Sequence, residues 1–314
     1  MTTLLVTGVG GPAGRSLGAQ LMARAAAGAD LSWVGVDVVA VDDPHFSLTD
    51  RAPRADDWAY TSGMLDLLDR YTPDLLVPTV QDELAQIAVL AEALGRAAHR
   101  NGTAQGLVLT PAPGPAAIAA DKLLTMLALD RAGVAVPRYA QPSDLLDVDQ
   151  ALAWASGPVV IKPRVSRGGR AVRVVESPAD LPTSTRWDAL DGSWLVQSFA
   201  GGTEYCPQLY RQPSGDTTVV VLEKTALKQG RVGNALHVVR VADGAARDIA
   251  AIARDTAEAL DLVGPVDMDI RRNAAGVPVV LEVNARFGAN SALAPELLDA
   301  VLGVALGRIE TGPR

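Results

Sequence analysis

The sequence predicts an α/β protein in two parts: an N-terminal open parallel sheet, followed by an α+β unit built on antiparallel pairing. Three observations predict it. Over the first 110 residues, short continuous apolar runs alternate with helical patterns, as parallel strands covered on both faces require. After the punctuation PAPGPAA at 111–117, apolar runs follow one another through tight turns. Hydrophobic residues make up 48% of the 314, enough for a sizeable core, which the 4% of aromatics leaves to Ala, Val and Leu.

The elements follow in chain order. TLLVTG (3–8), WVGVDV (33–38), DLLVPT (74–79) and GLVLT (106–110) are the strands of the first sheet. Residues 14–26 place Leu17, Leu21 and Ala25 on one helical stripe. Residues 82–98 place Leu84, Ile87, Ala88, Ala91 and Leu94 on another, opening with Asp82 and Glu83 where the helix dipole favours acids. This Rossmann-like alternation sets a domain over 1–113 and a second over 114–314. The second opens with a helix over 121–133, closed by Gly133. Strands are then expected at 158–164, 171–176, 194–200, 204–210 and 217–225. Ile249, Ile252, Ala253, Thr256 and Leu260 mark an amphipathic helix, and VDMDIRR (266–272) pairs with VPVVLEVNARF (277–287) through the turn NAAG.

Charge and cysteine content exclude several classes. The net charge is −8 and no run of Lys/Arg exceeds two residues, which disfavours a nucleic-acid partner. Cys206 is the one cysteine, so neither an intrachain disulfide nor a CxxC metal or redox motif exists. MTTLLVTGVGG lacks the basic start of a signal peptide, and LLDAVLGVALG (297–307) is too short to span a bilayer. A cytoplasmic protein without a membrane partner is expected.

Five segments carry candidate chemistry. Gly8, Gly10, Gly11 and Gly14 lie between a strand and a helix, with Asp37 closing the next strand. That is the setting of an NAD-binding turn, and an oxidoreductase is one reading. The same glycines serve any tight strand-to-helix turn, so they do not decide. The hairpin says more. Along VVLEVNARF, Glu282, Asn284 and Arg286 share one face, with Leu281, Val283 and Ala285 on the other. Asp267 and Asp269 share a face of the preceding strand, and the turn can bring Asp269 beside Glu282. Two carboxylates and an amide oxygen suit magnesium that also holds phosphates, with Arg286 placed to stabilise growing negative charge. Lys162 precedes the glycine-rich turn Ser166-Arg167-Gly168-Gly169-Arg170, whose amides can approach phosphate oxygens. Lys122 adds a cation at the start of the 121–133 helix. In WLVQSFAGGTEY, a strand leads through two glycines to Glu204.

In this order the motifs resemble the ATP-grasp superfamily, especially single-lobe relatives of the carbamoyl-phosphate synthase large chain. DKLLTMLALDRAGVAVPRY is similar to the family's first helix, GPVVIKPRVSRGGRAV to its lysine and glycine loop, LVQSFAGGTEY to its adenine hinge, and GPVDMDIRRNAAGVPVVLEVNARFGANSAL to its metal hairpin. The first domain, with VPTVQDELA, looks like a pre-ATP-grasp domain. The resemblance covers nearly the whole chain and implies a carboxylate–amine ligase using ATP and Mg2+. It implies that Lys122, Lys162, Ser166, Gly168 and Gly169 meet the ATP phosphates. Gln197, Ser198 and Phe199 would present backbone to adenine, and Glu204 would hold the ribose. Asp269, Glu282 and Asn284 would bind magnesium, and Arg286 and Lys162 would act in catalysis. Ala285 departs from the family, which often has proline there, and Arg167 and Arg170 are unusual in the loop. The resemblance further implies small-molecule carboxylate and amine substrates, a lid at about 157–202, and a possible homodimer. Carboxylation through carboxyphosphate remains a second reading within the class. The roles of Thr79, Gln81, Asp82, Glu83, Lys224, Lys228 and Arg231 stay open.

Overall fold

The computed structural model describes residues 1–101, 106–166, 168–181, 186–228 and 230–305. Arg167 and the end of the 297–307 stretch lie outside the described residues.

The first sheet is parallel throughout. Its strands are β1 (Thr2–Thr7), β2 (Leu31–Asp37), β3 (Thr49–Arg51), β4 (Leu75–Val77) and β5 (Leu107–Val108), in the order β3-β2-β1-β4-β5. Leu4, Leu5 and Val6 are completely buried because helices cover both faces. Helix α1 (Pro12–Ala26) starts with proline at its first position, where the missing N–H costs nothing. Helix α2 (Tyr60–Tyr71) and β3 are not among the elements the apolar pattern predicts. Tyr60, Met64 and Leu67 carry the buried stripe of α2 at helical spacing, a signal too short to stand out. Helix α3 (Leu84–Asn101) follows a single 3-10 turn over Gln81–Glu83.

PAPGPAA opens helix α4 (Pro113–Ala120), and α5 (Lys122–Arg131) follows directly. The Asp121 carboxylate caps α5 by accepting the Leu123 and Leu124 amides at 2.9 and 3.4 Å. Gly133 follows the helix at φ +77°, a conformation natural to glycine.

The rest is two antiparallel sheets. The smaller contains β6 (Tyr139–Ala140), β7 (Val159–Pro163), β8 (Arg173–Val175) and β9 (Trp194–Ser198), ordered β6-β9-β7-β8. Helix α6 (Val148–Ala155) covers one face, and Val148, Ala151, Val159, Ile161, Val175 and Val196 form a core of their own. The unit therefore takes in residues from 139 onward, well before the 157 expected from the sequence.

The larger sheet contains β10 (Glu204–Tyr205), β11 (Gln208–Arg211), β12 (Thr217–Val220), β13 (Leu222–Leu227), β14 (Ala235–Arg240), β15 (Gly264–Arg272) and β16 (Pro278–Asn284). The run 204–210 is not one strand. Pro207 has no amide to give the ladder, so β10 and β11 pair separately with β15. The run 217–225 likewise divides into β12 and β13, and β14 is an edge strand that the apolar pattern does not predict. Helices α5 and α7 (Arg247–Ala259) cover one face over Leu209, Val266, Met268 and Ile270. Helix α8 (Pro295–Ala305) packs on the other side, where Leu297, Leu298, Val301 and Leu302 join a cluster with Tyr210, Leu222, Leu4, Val6, Leu17 and Leu21. No helix among the described residues is long and apolar enough to cross a membrane.

Candidate active site

A cleft of about 1310 Å³ lies where the first sheet, the smaller antiparallel sheet and the β15–β16 hairpin meet. The hairpin supplies its floor. Asn273 shapes the turn by accepting the Ala275 and Val277 amides at 2.9 and 3.0 Å, and Gly276 takes φ +78°. That turn fixes the register: Asp269 stands directly opposite Glu282, and Asp267 opposite Asn284. Strand alternation sends Val266, Met268 and Ile270 into the core, while Asp267, Asp269 and Arg271 line the cleft.

One residue breaks the alternation. Register slips between Asp269 and Ile270, leaving Leu281 as a bulge. Leu281 therefore lines the cleft rather than the core face expected of it. Its carbonyl accepts a hydrogen bond from Lys162 Nζ at 3.0 Å. Lys162 ends β7 and is buried. Burial pulls its ammonium down to about 8, against the opposing attraction of Glu282.

The other cations are tied to the same acids. Lys122, at the first position of α5, lies 3.3 Å from Glu282 Oε1 and donates to Ser166 O at 2.8 Å. Lys224 Nζ bridges Glu204 Oε1 at 2.7 Å and Asp269 Oδ1 at 2.5 Å. Burial alone would lower the Lys224 ammonium, but these two carboxylates outweigh it and raise it. Glu204 is pushed up by burial and by Asp269, with Lys224 and Arg271 opposing. The register explains the trio: Glu204 is paired with Lys224 on one side and Arg271 on the other. Lys224 is visible in the sequence only as a strand lysine without an assigned role; the pairing of non-consecutive strands that gives it one is not a local property.

The end of β9 and the glycine loop also line the cleft. Gln197 is buried within β9. The Ser198 and Phe199 amides donate to the Arg138 and Pro158 carbonyls, both at 2.9 Å, so neither N–H is left for a base. The Phe199 ring lies 4.3 Å from the Arg231 guanidinium and 5.2 Å from that of Arg271. Ser166, Gly168, Gly169 and Arg170 line the cleft, with Gly168 and Gly169 at φ +65° and +70°. Lys228 lines it as well. Arg286 donates to Phe287 O at 2.9 Å and to Asp267 Oδ2 at 3.5 Å. Burial raises the Asp267 carboxyl to about 6, with Arg286 opposing.

The first sheet supplies the opposite wall, including Thr79, Gln81, Asp82 and Glu83. Glu83 accepts the Tyr60 hydroxyl at 2.9 Å and the Thr7 hydroxyl, and burial raises its carboxyl to about 7. The glycine turn has steric reasons of its own. A Cβ on Gly14 would come within 2.5 Å of Gly8 O, and one on Gly8 within 2.4 Å of Val80. Asp37 accepts the Gly10 amide at 2.9 Å.

A metal fits this donor set in one way. Among the described residues no three His, Cys, Asp or Glu side chains gather into a cage. Asp269, Glu282 and Asn284 offer oxygen only, which suits a hard divalent cation that keeps phosphate and water ligands.

A hairpin with paired acids, faced by a buried lysine and a glycine loop, agrees with the family match. Residues 119–290 match the ATP-grasp domain.

The chain belongs to the ATP-grasp family.

ATP binding follows from that membership. The chain is 29% identical over 220 residues to N5-carboxyaminoimidazole ribonucleotide synthase of Mycobacterium bovis and of Mycobacterium tuberculosis, covering 65% of this chain and 51% of those. It thus spans about half the length of the curated relatives it matches. In fold it is similar to an L-amino acid ligase from Bacillus licheniformis, with a TM-score of 0.67 at 18% identity, covering 93% of this chain and 69% of that one. It is also similar to an N5-carboxyaminoimidazole synthetase from Staphylococcus aureus complexed with ADP, with a TM-score of 0.68 at 17% identity, covering 92% and 71%.

Proposed function

We propose that this ATP-grasp chain is an ADP-forming ligase that activates a carboxylate as an acyl phosphate and joins it to an amine. The observation that carries the reading is the cross-strand pair Asp269–Glu282, followed by Asn284 and faced by buried Lys162 and Lys122. Asp269, Glu282, Asn284 and Lys162 line one cleft, and Arg286 follows two residues after Asn284, an arrangement that favours a γ-phosphoryl group in transit. Asp269, Glu282 and Asn284 would hold Mg2+, which supplies charge neutralisation on the phosphates when bound. Lys122, Lys162, Ser166, Gly168 and Gly169 would cradle the phosphates. The hinge at Gln197, Ser198 and Phe199 would take the base through groups other than the already bonded Ser198 and Phe199 amides, and Glu204 would take the ribose. A carboxylate oxygen attacks the γ-phosphorus as the bond to ADP breaks. The amine nitrogen then attacks the acyl carbon, the bond from that carbon to the phosphate oxygen breaks, and phosphate leaves as the nitrogen gives up one proton to it or to solvent. Residues 1–113 would shape the substrate side and 114–314 the nucleotide side.

Carboxylation is the second reading, favoured by the sequence relatives, whose name specifies a carboxyamino product. It uses the same first step on bicarbonate. Both readings predict one outcome: with hydroxylamine in place of the amine, screening of amino-acid carboxylates or bicarbonate consumes ATP and yields ADP, with a hydroxamate from the organic acids. AMP and pyrophosphate as products would refute the mechanism.

A further inference from the structure

Asp267 is the one acid on the hairpin face that the proposed metal set does not use. It lies two residues along β15 from Asp269, roughly 7 Å, and opposite Asn284 rather than Glu282. Both of its carboxylate oxygens are engaged. Oδ1 accepts from Gln208 Nε2, and Oδ2 faces Arg286 Nη1 at 3.5 Å. Gln208 is completely buried, and its Nε2 also donates to Cys206 O at 3.1 Å. Gly288 seals the arrangement from the third side: a Cβ there would come within 2.6 Å of Asp267 Cγ, Asp267 Oδ1 and Gln208 Oε1. Two chain segments, 206–208 and 286–288, thus converge to hold one carboxylate in one place.

What that carboxylate holds in turn is Arg286. Nη1 of the guanidinium is engaged by Asp267 and by Phe287 O. No hydrogen bond among the described residues occupies Arg286 Nε or Nη2, so the remaining edge of the planar fork is left for a ligand. An arginine side chain has many rotamers to lose, and a charge-stabilising group works best when it is ordered before the reaction. Both side chains are 14% exposed, so the pair is shielded from solvent.

We propose that Asp267 is a positioning residue: it fixes the Arg286 guanidinium so that its free edge faces the phosphoryl group in transit. The inference rests on the phosphoryl-transfer reading above. Both Asp267 oxygens are already engaged by Gln208 and Arg286, so its assigned part is to hold the guanidinium rather than to ligate the metal.

The test is calorimetric and needs no substrate. The probes are MgADP alone and MgADP with orthovanadate, which mimics the transferring phosphoryl group. Asp267→Asn should bind MgADP within about twofold of the unaltered chain and need no more Mg2+, yet bind the vanadate complex roughly tenfold or more weakly. Asp267→Glu, which keeps the charge, should recover most of that loss. In an Arg286→Gln background, Asp267→Asn should have no further effect, because the two act as one unit. An equal loss in that background would overturn the proposal, as would a raised Mg2+ requirement, which would make Asp267 a metal ligand. If Asp267→Asn does not fold, Asp267→Glu carries the same cycle, with a loss of about threefold that must vanish beside Arg286→Gln. An unaltered chain that binds MgADP no tighter with vanadate would refute the phosphoryl-transfer reading, and this inference with it.

Discussion

Glu282 meets Lys122 at 3.3 Å and stands opposite Asp269. Glu282→Gln keeps the shape and removes the charge, and Asn284→Ala removes one oxygen donor. Either should lower turnover at least about 100-fold in a steady-state ATP assay, since even partners behind a metal ligand are worth 10–100-fold. Circular dichroism and thermal melting should show the fold intact, and near-normal turnover would remove the metal assignment. A second residue sets a pH dependence. Glu83 titrates near 7 in the fold because burial disfavours its charge, against 4.5 when unburied. The folded chain holds this proton more tightly than the unfolded one. Its contribution to stability is therefore complete below 4.5, falls as pH rises, and is gone above 7, amounting to about 3 kcal/mol. Melting temperatures of the unaltered chain should fall more between pH 5 and 8 than those of Glu83→Gln; parallel curves would show that Glu83 does not titrate in this window. At this scale the sequence is partly legible. Asp269, Glu282, Asn284 and Arg286 show themselves because charged groups in an apolar strand have few bland explanations. Asp267 is seen there only as an acid on the same face as Asp269, and Lys224 only as a strand lysine, because their partners Gln208 and Glu204 lie 59 and 20 residues away.

Among the elements, the smaller sheet has the most independence, because its core is its own. Among the described residues its glycine loop contributes no side chain to that core and lines the cleft instead. A loop with few apolar anchors opens at low cost, and phosphate contacts on binding would order it. Amide hydrogen exchange at Gly168 and Gly169 should therefore slow at least about tenfold with MgATP. Equal protection with and without nucleotide would argue against a lid. Period and punctuation locate most strands, yet they fail in specific ways. Pro207 divides a run that reads as continuous. The Leu281 bulge reverses the face of a residue that simple alternation assigns to the core. Helix α6 and strand β6 belong to the smaller sheet although they precede the run PVVIK that announces it, because pairing of Tyr139 with Gln197 spans 58 positions.

For the whole molecule, the α/β order of the first sheet and the antiparallel character of the later strands can be read from the apolar runs. The way the parts join cannot, since that depends on α8. Leu297, Leu298, Val301 and Leu302 share one core with Tyr210 and Leu222 of the larger sheet and with Leu4, Val6, Leu17 and Leu21 near the other end of the chain. Arg24 and Asp299 reinforce the seam at 2.7 Å. This has a consequence during synthesis. A ribosome adding about 5–20 residues per second makes the first strand and helix early and α8 roughly 15–60 s later. Through that interval the apolar side chains of β1 and α1 lack their final cover, which makes the nascent first sheet a natural client for chaperones.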